Sequence, residues 1–248
     1  MQGGIRMEFS KGRITEYPFA SKELNETIPI LVYLPASYSP LYKYTLVIAQ
    51  DGRDYFQLGR IGRTTDELIN GGEIENIIII GVPYKDVKDR RSKYHPQGSQ
   101  HQAYIRFIAK ELVPFLEQHF PTYQMGLGRA LIGDSLAATV SLKAALQFPH
   151  TFGKVILQSP FVNNEIIDDV AAFEQPHLLS IYHVIGKQET EVKTTADKIE
   201  DFLTPNRELN IVMESKAFPY FYEEFEGNHT WTYWQPDLKR ALKKMFPK

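Results

Sequence analysis

The chain is expected to adopt an α/β fold, a mostly parallel central sheet with helices on both faces. Two observations lead there. Short β-branched runs recur through the chain and several are continuously apolar, as strands covered on both faces require. Helical patterns lie between them, and strands alternating with helices make parallel crossovers. No repeat, low-complexity tract or Gly/Ser linker interrupts the pattern, so residues 1–248 read as a single domain.

The expected strands are "IPILVYLP" (Ile28–Pro35), "YTLVIAQ" (Tyr44–Gln50), "NIIIIGV" (Asn76–Val82), "RALIG" (Arg129–Gly133), "KVILQS" (Lys154–Ser159), "SIYHVIG" (Ser180–Gly186) and "FPYFYEEF" (Phe218–Phe225). Among the helices, His101–Phe120 places Tyr104, Phe107, Ile108, Leu112 and Phe115 on one stripe. Ser135–Phe148 is rich in Ala and Leu. Thr204–Ala217 opens with Thr204 as N-cap and Pro205 at the first helical position. Lys85–Gln100, with Lys85, Lys88, Arg90, Arg91 and Lys93, reads as a basic loop after a strand end.

Composition narrows the classes. With 43% hydrophobic and 23% charged residues the chain can bury a full core. A formal net charge of -2 gives no broad basic face for nucleic acid. The absence of cysteine excludes disulfides, thiolate metal sites and a cysteine nucleophile. "MQGGIRMEFSKGRI" lacks an apolar stretch of signal-peptide length, and Ile77–Val82 is far too short to span a bilayer. A soluble, cytoplasmic protein with no membrane partner is the expectation.

In parallel sheets functional groups gather at the carboxyl ends of strands. After "RALIG" the residues Gly133, Asp134 and Ser135 must reverse the chain directly into a helix. A G-x-S-x-G elbow needs small residues two before and two after the serine; Gly133 meets the first position and Ala137 approximates the second. Such a turn raises the Ser135 hydroxyl above the sheet and leaves the Leu136 N–H free for an oxyanion. The same residues read alone also describe a plain serine cap.

A serine nucleophile needs a base. Of seven histidines, His95, His101, His119, His150, His177 and His183 read most simply as surface or packing residues. His229, in "EFEGNHTWTYW" just past the last apolar run, is the expected base. The order Ser, Asp/Glu, His then calls for an acid after the preceding strand. "YHVIGKQETEV" offers Glu189, preferred, and Glu191. A second oxyanion donor is expected after "VIAQ", where Asp51-Gly52 turns the chain: the N–H of Arg53, or that of Asp54. Arg91 and Tyr94 are candidate substrate contacts, and Trp231 and Trp234 either line an acyl pocket or pack the C-terminal helix. No H-x-x-x-H or H-E-x-x-H spacing occurs, so no metal is expected.

Taken together, "VYLP" and "QDGRDYF", "GDSLAA", "GKQE" and "EGNHTWTYW" resemble α/β-hydrolase serine esterases of the enterochelin-esterase-like and esterase-D-like type. The resemblance spans roughly the whole chain. It implies the α/β-hydrolase fold, Ser135 as nucleophile, His229 as general base, Glu189 as acid, and an oxyanion hole at Leu136 and the Arg53 region. It implies no cofactor, a small-molecule ester as substrate, and admits a homodimer. Two departures stand out. Ala137-Ala138 occupies positions where many relatives carry Gly-Gly, and no separate N-terminal domain of the enterochelin-esterase kind is evident. A small or aromatic ester is therefore expected ahead of a siderophore-type lactone. The competing readings are an acyltransferase on the same fold and a non-catalytic binding protein with a degenerate site.

Overall fold

The computed structural model describes residues 10–248; most of the stretch inspected for a signal peptide, residues 1–9, lies outside the described residues. In chain order come β1 (Arg13–Ser21), β2 (Glu26–Leu34), β3 (Thr45–Gln50), α1 (Gly52–Gln57), α2 (Ile61–Asn70), β4 (Ile77–Val82) and α3 (Val87–Tyr94). Then follow α4 (His101–Arg106), a π-helical segment (Phe107–Leu112), α5 (Val113–His119), β5 (Arg129–Asp134), α6 (Leu136–Gln147), β6 (Lys154–Gln158) and α7 (Asn164–Ala172). The chain closes with β7 (Ser180–Gly186), the two-residue strands β8 (Val192–Lys193) and β9 (Ile199–Glu200), α8 (Leu203–Ser215), β10 (Tyr220–Phe225) and α9 (Trp231–Met245).

Eight strands form one sheet in the order β1-β2-β4-β3-β5-β6-β7-β10. β1 and β2 are antiparallel to each other, β2 is antiparallel to β4, and every other pairing is parallel. The architecture is the α/β-hydrolase fold. Strand β3 has β4 on one side and β5 on the other, so chain direction across the sheet reverses there, the place where such sheets open a crevice. The continuous apolar runs serve two cores at once. Leu46, Ile48, Ile78 and Ile80 pack with the α4–α5 and α6 face, while Val47, Ala49, Ile77 and Ile79 pack with the α2 and α9 face. Period-two alternation therefore points every residue of these strands into a core, and burying each isoleucine contributes roughly 1.5–3 kcal/mol.

Several local expectations are corrected. Helix α8 begins at Leu203, before Thr204, and Asp201 accepts the Thr204 N–H at 3.1 Å. The helix expected over His101–Phe120 has a π-helical middle just ahead of Pro114, where a looser turn accommodates a ring that an α-helix would clash with. Half of the expected basic loop is the helix α3, capped by Asp86, whose side chain accepts the Asp89 N–H at 2.8 Å. Among the described residues no helix is long and apolar enough to cross a membrane.

Candidate active site

Strand β5 ends at Asp134 and α6 starts at Leu136, leaving Ser135 alone to turn the chain at φ 53, ψ −127. A non-glycine residue there is strained and persists only where its surroundings hold it. Three contacts do so: the Ser135 N–H donates to the Gln158 carbonyl at 3.0 Å, and its carbonyl accepts from the Thr139 N–H at 3.2 Å and the Phe161 N–H at 3.3 Å. Gly133 is indispensable to the turn, because a Cβ there would stand 2.3 Å from the backbone of Ala137. Leu136 starts α6, so its N–H has no carbonyl within the helix to bind.

The ends of β7 and β10 bring Glu189 and His229 together. Backbone bonds Lys187 N–H to Phe225 and Gln188 N–H to Gly227, both 2.9 Å, tie the two loops. Gly186 permits this approach, since a Cβ would meet the Gly227 carbonyl at 2.4 Å. The Glu189 side chain is fully buried. Its Oε1 accepts from the Ser159 hydroxyl at 2.6 Å and the Gly186 N–H at 2.8 Å, and its Oε2 meets His229 Nδ1 at 2.6 Å. Trp234 Nε1–H donates to Ser159 Oγ at 2.9 Å, completing the cradle. The His229 ring lies between Phe202 (4.6 Å between centroids) and the edge-on Trp234 (4.8 Å). Glu191 is exposed.

Ser135, Leu136 and His229 line one cavity of about 90 Å³ with His95, Phe161 and Phe202. The Ser135 hydroxyl has no hydrogen-bond partner among the described residues; catalytic hydrogen bonds are often loose before substrate arrives. The β8–β9 hairpin covers one side through Val192, Lys193 and Thr194. It departs just after Glu189 and returns to it, with the Phe202 and Leu203 N–H groups donating to the Glu189 carbonyl at 2.9 and 3.1 Å.

Other candidates fall differently. Arg91 lines the cavity and is exposed. Tyr94 does not reach it: the side chain is fully buried beneath α3 and its Oη accepts the Asp51 N–H at 3.2 Å. Trp231 is not among the lining residues; its ring packs edge-on against Tyr55 at 4.9 Å and Trp234 at 5.7 Å. Arg53 is the second residue of α1, so its N–H has no intrahelical acceptor, while its side chain lines a separate cavity of about 490 Å³. The alternative Asp54 N–H is already taken by the Asp51 carbonyl at 2.9 Å. His95, expected as a surface or packing residue, stands on the cavity wall with its ring 5.4 Å from that of Phe161. Burial, followed by the nearby Arg91 charge, pushes its imidazole below the ordinary range.

Behind the elbow lies a buried polar cluster. Arg90 pairs with Asp51 through Nε (3.0 and 2.8 Å) and Nη2 (2.6 Å). Burial opposes the Arg90 charge, but Asp51 and Asp134 outweigh it and raise its pKa. Burial, then repulsion from Asp51, pushes the Asp134 carboxyl far above the usual carboxylate range.

Comparison with known proteins gives the family and the fold. Residues 21–245 match the Esterase family, described as "Putative esterase". The chain is 58% identical over 234 residues to "Uncharacterized protein YjcH" of Bacillus subtilis (strain 168), covering 94% of this chain and 98% of that one. Among solved structures, a ferulic acid esterase superposes with a TM-score of 0.79 at 17% identity, covering 95% of this chain and 98% of its own. The enterobactin esterase FES from Shigella flexneri gives 0.79 at 16% identity over 94% of this chain; the match spans 59% of the FES chain. The chain belongs to the Esterase family and is a carboxylic ester hydrolase on the α/β-hydrolase fold.

Proposed function

We propose that this esterase hydrolyses short-chain carboxylic esters through an acyl-enzyme on Ser135. His229 acts as general base and Glu189 as the acid that orients it. The observation that carries the reading is the 2.6 Å contact of the buried Glu189 carboxylate with His229 Nδ1, beside a cavity shared with Ser135. A carboxylate only accepts, so the proton sits on Nδ1 and the Nε2 lone pair is left as the base.

Catalysis then runs in two halves. His229 Nε2 takes the Ser135 proton as Oγ attacks the ester carbonyl, and the N–H groups of Leu136 and Arg53 bind the oxyanion. Collapse of the tetrahedral intermediate breaks the bond to the alcohol, which leaves with the proton from His229. Water attacks the acyl-enzyme by the same route and frees the acid. No step needs a group beyond the protein and water.

Cavity size favours a small acyl group. About 90 Å³ is smaller than the roughly 150 Å³ apolar cavity known to admit benzene.

The test is hydrolysis of p-nitrophenyl acetate, butyrate, octanoate and a feruloyl ester by wild type and by Ser135→Ala. Acetate and butyrate should be the best substrates, and Ser135→Ala should lower kcat by about a thousandfold or more. Undiminished hydrolysis by the variant overturns Ser135 as nucleophile. Preference for the feruloyl ester overturns the small acyl group.

A further inference from the structure

The oxyanion hole proposed above takes its two N–H groups from different helices, α6 after Ser135 and α1 after Asp51. Donors must sit about 2.7–3.1 Å from the developing oxyanion. The separation of the two helix starts is therefore a catalytic variable. The sheet sets it only as far as its last rung. The β3–β5 ladder ends at Ala49–Ile132. Past that point the Ser135 N–H goes to Gln158 on β6, and Gln50 pairs with Val82 on β4. Among the described residues, no backbone hydrogen bond joins 50–53 to 133–136. Both turns are strained as well, with Asp51 at φ 55 and Ser135 at φ 53.

We propose that Arg90 is a positioning residue that clamps these two turns together and so holds the oxyanion hole at its working width. The proposal rests on the reading of Ser135 as nucleophile. One face of the guanidinium is fixed to Asp51 by three contacts of 2.6–3.0 Å. Its Nη2 also reaches the Asp134 carbonyl, the residue just before Ser135, at 3.4 Å. The same helix holds the α1 turn a second time, four residues on, where Tyr94 Oη accepts the Asp51 N–H at 3.2 Å. The rings of Tyr84 and Tyr94 flank the guanidinium at 5.8 and 5.6 Å from their centroids.

The residue type follows from this duty. A planar fork reaches a carboxylate on one side and a carbonyl on the other, whereas an ammonium is a single point charge on a flexible stem. Burial strengthens the requirement: Arg90 and Asp51 are 9% and 2% exposed, so neither charge has water to fall back on. Arg90 also explains why a helix of such polar sequence is ordered, since α3 is fastened through Arg90 to Asp51 and through Lys93 to Glu26.

The experiment compares wild type with Arg90→Lys, Asp51→Asn, the double variant and Tyr94→Phe. Each is assayed on p-nitrophenyl acetate, a neutral ester, and for inactivation by a p-nitrophenyl alkylphosphonate. Thermal unfolding is followed in parallel. The expected result for Arg90→Lys is a fall in kcat of about tenfold to a hundredfold with KM nearly unchanged, since a misplacement near 1 Å costs on that order. Phosphonate inactivation should slow by the same factor, because its tetrahedral product needs the same donors. The double variant should be no worse than the worse single one, since both break one clamp. Tyr94→Phe, which keeps the ion pair, should show a smaller loss of the same kind even if Arg90→Lys folds poorly.

A loss confined to KM overturns the proposal in favour of direct substrate binding by Arg90. Losses that multiply in the double variant, or full kcat in Arg90→Lys, overturn it too. A kcat that falls only in step with the folded fraction makes Arg90 merely structural, which also overturns it. Failure of the underlying reading looks different: the phosphonate would then not label Ser135 in the wild type.

Discussion

Two histidines, one inside β7 and one just past the end of the neighbouring β10, make different use of the same side chain. His183 lies within β7, fully buried, with Tyr220 Oη at Nδ1 and Asn206 Oδ1 at Nε2, both 2.7 Å. His229 lies in the loop after β10, with a carboxylate at Nδ1 and a cavity beside the ring. Both nitrogens of His183 are occupied by neutral partners, so the ring neither meets a substrate nor gains from becoming charged. His229 has one nitrogen anchored by Glu189, an arrangement that stabilises an imidazolium as it forms. Burial alone does not mark a catalytic histidine. The charge of its partner and an open side are what favour His229 as the proposed base.

The largest effect that tests this contrast comes from replacing each histidine by alanine. His229→Ala should reduce kcat on p-nitrophenyl acetate by about a thousandfold or more in the folded fraction. His183→Ala should do the reverse, retaining kcat in the folded fraction. Comparable kcat losses in both variants would erase the distinction between the two sites.

Glu189→Gln against Glu191→Gln sharpens it further. Glu189 receives three donors, from Ser159, Gly186 and His229. An amide offers one acceptor oxygen and turns an NH₂ toward another donor, so the histidine loses its partner and its tautomer. A kcat loss of about a hundredfold or more is expected. Glu191, exposed, should tolerate the change with wild-type kinetics; a large loss there instead would transfer the acid's role.

His183 carries a stability prediction of smaller size. Removing its ring leaves Asn206 Oδ1 and the Tyr220 hydroxyl without their partner inside the core, and an unsatisfied buried group costs about 1–3 kcal/mol. Urea unfolding of His183→Ala should show a loss of at least that order, because a cavity adds to it. A loss within error of zero would make the cluster incidental.

How far the sequence announced these features depends on what kind of force holds them. Five of the seven apolar runs were legible because they are buried on both faces and need no partner to be recognised, whereas β2 and the edge strand β10, only partly buried, were legible from their β-branched and aromatic residues. Strand β1 was not, since it is an edge strand with Pro18 and mostly exposed side chains. Helix α3 has no apolar stripe; its buried face is Arg90, Lys93 and Tyr94, and their partners Asp51 and Glu26 lie far away in sequence. For the same reason Arg91 and Tyr94 were picked out in that segment while Arg90 was not. The elbow at Ser135 was legible because close helix–strand contact demands small residues at fixed spacing. Ser159 and Trp234, which cradle Glu189, carry no such local signature. His95 reaches the cavity only through the turn that ends α3, and that turn is visible in the fold alone.

The effect most specific to the comparison is the response of stability to pH. Burial, opposed in part by the Asn206 hydrogen bond, pushes the His183 imidazole down to about 4, against 6.5 for the ordinary group. The aromatic ring of Tyr222 packs edge-on at 4.9 Å, and no charged group touches the histidine among the described hydrogen bonds. Between those two values the unfolded chain binds a proton that the folded chain refuses. Stability is therefore complete above about pH 6.5, falls as the pH drops toward 4, and loses on the order of 3 kcal/mol across the window. Carboxylates begin to titrate near its lower edge, so the slope is best read between about pH 5 and 6.5. Urea unfolding across that interval should show stability rising with pH in the wild type and a flatter line in His183→Gln, which has no proton to refuse. Equal slopes in the two proteins would mean that His183 is charged in the fold or that another group governs the window, and the contrast with His229 would then rest on access alone.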